Sequence, residues 1–146
     1  MATLLLVAAC GGDSTAPPTY ESIAGTYNGT IVGLTQGVAL NSIFTLAIAQ
    51  NGATTSGTYG ISGTLDDGVN TVQIAGTGTL DGTVASGTNP SVNITIKSGG
   101  CPNYQAVFSG AYDSANSRIT ITGPIDILDN NCAVFLRYPT TFILTR

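Results

Sequence analysis

The chain has no histidine and no tryptophan among its 146 residues. The first absence removes the usual general base near neutral pH, the Ser-His-Asp arrangement and most zinc sites. Charge is scarce as well. Asp, Glu, Lys and Arg make up 8% of the sequence, against about 25% in an ordinary soluble domain. The four basic residues, Lys97, Arg118, Arg137 and Arg146, stand singly, and the net charge is −4. Without a basic stripe the chain is no nucleic-acid binder, and an anionic membrane surface gains nothing from this balance. Glu21 is the only glutamate, and the aspartates offer little chemistry. Asp66-Asp67 precede Gly68 and read as a solvated turn. Asp126 and Asp129, with Asn130 and Asn131, carry oxygens suited to calcium, but not at the spacing of a calcium loop. We therefore expect no catalytic residue, no metal and no cofactor.

Long hydrophobic runs are missing too. The apolar run Leu4–Ala9 falls far short of the roughly 20 residues of a membrane helix, and small residues follow it directly. That is the form of a cleavable export signal. Leu6-Val7-Ala8-Ala9-Cys10 resembles the lipobox of bacterial lipoproteins. The resemblance implies that the Cys10 thiol carries a diacylglycerol, that the chain is cut before it, and that the new amino group is acylated. Such signals normally open with Lys or Arg, and Met1-Ala2-Thr3 has neither. Either the start lies upstream of Met1, or residues 1–9 are a buried N-terminal strand ending in a core cysteine. Gly11–Thr19 is rich in small residues and proline, as a flexible tether would be. Gly11 in place of Asp after the cysteine implies sorting to the outer rather than the inner membrane. The expected division is a signal at 1–9, a lipid-anchored linker at 10–22 and a folded domain at 23–146. The expected partners are a membrane, through acyl chains on Cys10, together with a small molecule or an envelope protein.

Three cysteines are an awkward number for an exported protein. A lipidated Cys10 leaves Cys101 and Cys132 as one pair for an oxidising compartment; two free buried thiols in a reducing compartment are the alternative.

From Gly25 onward the pattern is period-2. Phe44, Leu46 and Ile48 alternate with Thr45, Ala47 and Ala49. Val92, Ile94 and Ile96 alternate with Asn93, Thr95 and Lys97, which puts successive side chains on opposite faces of a strand. No segment carries a helical repeat. Strands are expected near Gly25–Leu34, Ser42–Gln50, Ala53–Leu65, Thr71–Ala85, Ser91–Ser98, Tyr104–Asp113, Ser117–Pro124 and Ala133–Thr145. Asn51-Gly52 predicts a type I′ hairpin. The connections are short enough for sequential neighbours to pair, and a chain with few edge-blocking charges benefits from having no edges. The expected fold class is therefore all-β, an antiparallel up-and-down barrel of about eight strands. In such a meander Cys101 and Cys132 fall at the same end.

Gly25-Thr26-Tyr27, Ser56-Gly57-Thr58-Tyr59 and Phe108-Ser109-Gly110-Ala111-Tyr112 resemble the Gly-Thr-aromatic strand repeats of avidin-like and lipocalin-like barrels. Biotin binding does not carry over, because an avidin pocket is closed by tryptophans. Tyr104, Phe108 and Tyr112 share one face of their strand. With Tyr27 and Tyr59 they form the one constellation suited to lining a cavity for a small, partly polar ligand. The competing reading is that these rings fill the core of a narrow barrel.

Overall fold

A computed structural model describes residues 16–146; the expected signal at 1–9 and Cys10, the expected lipidation site, lie outside the described residues. Eight strands follow one another: β1 Gly25–Thr35, β2 Val38–Asn51, β3 Thr54–Asp66, β4 Thr71–Val84, β5 Ser91–Ser98, β6 Gln105–Asp113, β7 Arg118–Leu128 and β8 Val134–Thr145. Each pairs antiparallel with the next, and β8 returns to β1, giving a closed up-and-down barrel. No helix occurs among the described residues.

Alternation decides which face goes inward. On β2, Leu40, Phe44, Leu46 and Ile48 are buried while Asn41, Ile43 and Gln50 lie further out. On β5, Val92, Ile94 and Ile96 are buried and Asn93 and Lys97 are exposed. Apolar side chains thus fill the inside, and the outside is mostly Thr, Ser and Asn. A barrel that crosses a bilayer has the opposite alternation.

Two turns differ from the expectation. Gln36 and Gly37 both take positive φ, 49° and 78°, so β1 and β2 join in a two-residue turn and β2 begins at Val38, before Ser42. At the second hairpin Asn51 pairs with Thr54 and Gly52 alone has positive φ, 57°. Glycine as the first central residue, followed by Ala53, is the type II′ pattern and not I′. Asn51 ends the strand instead of making the turn. At the other end of the chain, β7 continues past Pro124 to Leu128. Proline is tolerated there because Pro124 stands opposite Pro139 and has no β6 partner whose carbonyl needs its missing N–H.

The two poles of the barrel are built differently. At the near pole, where the chain enters, Thr19–Ile23 crosses the opening. Gly87 N donates to Thr19 O at 3.0 Å, Ile23 N to Gln50 Oε1 at 2.7 Å and Gln50 Nε2 to Glu21 O at 3.1 Å. Ile23 is completely buried. Glu21 and its neighbours, expected at the end of a flexible linker, are therefore part of the lid. Beneath it the Tyr27 hydroxyl donates to Ile23 O at 2.9 Å. Tyr27 also packs edge-on against Tyr112, with ring centroids 6.5 Å apart.

At the far pole the hairpins differ in length. β5 and β6 have 8 and 9 residues, whereas β3 and β4 have 13 and 14. The β4–β5 ladder starts only at Gly78↔Ser98, and the β6–β7 ladder covers only Ser109–Asp113 against Arg118–Thr122. The β3–β4 and β7–β8 ribbons consequently rise past the β5–β6 hairpin. A disulfide between Cys101 and Cys132, with Cα atoms 5.5 Å apart, ties the β5–β6 loop to the β7–β8 loop across this gap.

The sequence separation of this disulfide is 31, a loop whose closure removes roughly 3–4 kcal/mol of unfolded-state entropy. The double variant Cys101→Ala/Cys132→Ala is expected to lose about that much stability in urea unfolding while keeping its β-sheet circular dichroism. An unchanged midpoint would show that the bridge constrains nothing in the unfolded chain.

Candidate functional site

The unequal hairpins leave a cavity of about 520 Å³ at the far pole. Its floor is Phe44 and Tyr59, its walls include Ile61, Ile74, Ile96 and Ile125, and Cys101 and Tyr104 lie along the β5–β6 side. The floor is a packed aromatic group. Phe44 stacks on Tyr59 at 5.8 Å and meets Phe142 at 5.4 Å and Phe108 at 6.2 Å. Such pairs each add about 1 kcal/mol beyond the area they bury. They close the barrel at mid-height, so the cavity is a cup and not a channel.

Space for these rings comes from glycines facing the same interior. A Cβ on Gly33 would stand 2.9 Å from Tyr138 Cδ1, and one on Gly78 would stand 2.6 Å from Tyr59 Cε1. Both distances are too short for any side chain but hydrogen.

The wall between β6 and β7, where no ladder runs, is held by a polar cluster. The Tyr104 hydroxyl donates to Asp126 Oδ2 at 2.9 Å. Arg137 grips the same carboxylate with two bonds, Nε to Oδ1 and Nη2 to Oδ2, each 2.8 Å. The Asp126 side chain is 1% exposed and that of Arg137 59% exposed, so the guanidinium covers the carboxylate from outside. This bidentate geometry is the strong form of the interaction. Burial, then the hydrogen bond to Asp126 and its charge, push the Tyr104 hydroxyl well above the ordinary tyrosine range. Burial also raises Tyr59, Tyr27 and Tyr138, with Arg146 partly opposing it at Tyr27.

The five aromatic residues singled out from the sequence are all in the interior but do not form one lining. Tyr59 and Tyr104 face the cavity. Phe108 is fully buried among the floor rings. Tyr27 and Tyr112 meet each other under the near-pole lid. Rings thus fill the lower barrel, and the upper part is open. The period-2 argument put these side chains on the inner face correctly, but parity carries no information about height. Sequence reasoning placed Ile61 on the face of Tyr59 but missed Ile74 and the Tyr104–Asp126–Arg137 cluster. The last had one available signal, a lone aspartate and a lone arginine on consecutive strands, which pair directly across β7 and β8.

The acidic pairs are otherwise engaged. Asp67 Oδ1 accepts from the backbone N–H of Val69 and Asn70, Asp66 Oδ1 accepts from that of Gly68, and these bonds fix the turn. Asp129 Oδ1 accepts from the N–H of Asn131 and Ala133 in the same way. Among the described residues no group of three or more His, Cys, Asp or Glu side chains is placed to hold a metal ion. The chain matches no family model, no curated protein and no solved structure.

The raised tyrosine pKa values link stability to alkaline pH. These hydroxyls stay protonated in the native barrel at a pH where the unfolded chain, with tyrosines near 10.0, has begun to ionise. Their contribution is present in full below about pH 10 and is lost as pH rises through the folded values. Urea unfolding between pH 9 and 11 is expected to show falling stability, with a shallower fall in Tyr104→Phe. At pH 7 that variant should be about 1–2 kcal/mol less stable, for one lost bond to a buried carboxylate. Equal slopes for both proteins would remove Tyr104 from the account.

Proposed function

We propose that this protein is a lipid-anchored component of the bacterial cell envelope whose barrel is a non-catalytic binding module for a small, partly apolar ligand. The observation that carries the reading is the far-pole cup. A cavity of about 520 Å³ with an aromatic floor and isoleucine walls falls within the roughly 300–1,000 Å³ range of small-molecule sites.

The placement of the poles supports an anchored binder. The chain reaches the barrel at Tyr20, which bridges to Gly87 at the near pole. From a lipidated Cys10 the intervening residues span at most about 35 Å. The near pole then faces the outer membrane, and the mouth opens away from the bilayer toward aqueous ligands. A disulfide joining Cys101 and Cys132 fits an oxidising envelope compartment, and it leaves Cys10 as the odd cysteine for acylation.

A second reading is an interaction lipoprotein that works through its outer wall. Val32 and Leu34 on β1 are 70% and 73% exposed, and Ile43 and Ile143 on the flanking strands are also exposed. These four lie on three neighbouring strands, β8, β1 and β2.

Native mass spectrometry of the protein purified from its own membranes separates the two readings. A stoichiometric small molecule is expected, and Ile61→Trp, which fills the cup, is expected to lose it. A clean apo mass for the unaltered protein would favour the outer wall. The anchor has its own check: Cys10→Ala should move the protein from the membrane fraction to the soluble one, and retention in the membrane would overturn it.

A further inference from the structure

We propose that the far-pole cup selects an uncharged apolar molecule and rejects its anionic counterparts. This rests on the reading of the cup as a ligand site and adds the chemical class of what it takes.

The lining contains no Lys or Arg. Its charged members are Asp126 and Asp129 alone, so an anion in the cup would meet two carboxylates and no counter-charge. The one cation close by is Arg137, which stands on the outer wall, mostly in solvent, and turns Nε and Nη2 to Asp126. Lys97 is held by Asp81 on the outside of the barrel at 2.6 Å, and Arg118 by Asp113 at the near pole at 2.9 Å. Arg146 is also at the near pole, against the Tyr27 hydroxyl at 2.8 Å. Every cation in the chain is therefore committed or remote. Desolvating a carboxylate or sulfonate without a partner is strongly unfavourable, and the apolar contacts of the body it is attached to are the same for the neutral counterpart.

A cation fares little better. Asp126 has both oxygens occupied, one by Arg137 and the other by Arg137 and Tyr104. Asp129 is engaged by its own turn. What the lining does offer is neutral hydrogen bonding, from the hydroxyls of Tyr59 and Ser98. Burial keeps the Tyr59 hydroxyl protonated through the physiological range. An alcohol, ether, ester or amide on an apolar body meets each of these without a charge to desolvate.

Two fluorescent probes test this directly, because they share one skeleton and differ by a single charge. N-phenyl-1-naphthylamine is neutral, and 1-anilinonaphthalene-8-sulfonate is its anionic relative. Binding is measured by fluorescence titration of the purified protein in 150 mM salt, where the chain's net charge is screened beyond about 8 Å. The neutral probe is expected to bind at least ten-fold more tightly. Ile61→Trp should abolish that binding, and Ile74→Trp, on the more exposed β4 edge, serves as the second cup-filling variant. Val72→Lys, at the exposed rim of the cup on the same face of β4 as Ile74, should narrow the preference several-fold by giving the sulfonate a counter-charge.

Equal or tighter binding of the sulfonate to the unaltered protein would overturn the selectivity while leaving the container intact. So would an unchanged ratio in Val72→Lys. Failure of both probes to bind, or binding indifferent to both cup-filling variants, would instead remove the binding module itself.

Discussion

The shortness of one hairpin governs the upper half of this molecule. In a closed barrel each strand needs a lateral partner along its whole length, or its backbone groups face solvent. β5 and β6 stop well before β4 and β7 do, so the inner flanks of two long ribbons lose their ladder at the far pole. The gap has to be bridged by something other than backbone hydrogen bonds. A covalent tie, Cys101–Cys132, and a charged strut, Tyr104–Asp126–Arg137, both fall where the ladder is missing. The cup, its disulfide and its polar wall are thus one consequence of a single mismatch in strand length.

Below that level the barrel obeys a different constraint, close packing. An eight-stranded barrel is just wide enough for side chains to fill, and rings as large as Tyr59, Phe108 and Tyr138 fit only beside strand positions with no side chain. Gly33 and Gly78 supply such positions, each with a ring atom within 3 Å of where a Cβ would stand. The same trade explains why a chain so rich in glycine has a well-filled interior. The aromatic floor and the near-pole lid under Ile23 close the barrel below the cup, which opens at the far pole.

The architecture was readable because period-2 alternation is repeated in eight segments with turn residues between them, and no helical pattern competes with it. Strand order followed from connection length alone. Boundaries were less legible where a turn broke the usual chemistry. Gln36 is an unusual residue for positive φ, so the first hairpin read as a longer loop, and Pro124 marked a strand end that tertiary pairing overrode. The site was half legible. Alternation says that Tyr27, Tyr59, Tyr104, Phe108 and Tyr112 point inward, but it cannot say at which height along the barrel axis each ring sits. That depends on the stagger between strands, and here the stagger divides the five among cup, floor and lid. The pairing of Asp126 with Arg137 depends on the β7–β8 register, which a bulge near Leu128 shifts and no local pattern reveals.

A buried carboxylate beside a tyrosine and an arginine invites a catalytic reading, and the geometry argues for a different role. A general base needs a lone pair directed at a substrate proton. Asp126 spends one oxygen on Arg137 and the other on both Arg137 and Tyr104. A general acid near neutrality needs a pKa brought down toward working pH, whereas burial and the adjacent carboxylate drive Tyr104 the other way. Arg137 lies on the outer wall, mostly in solvent. Each member satisfies another, and none is held in reserve for a reacting molecule. Such a set stiffens a wall that lacks a ladder, and that is the role its hydrogen bonds describe.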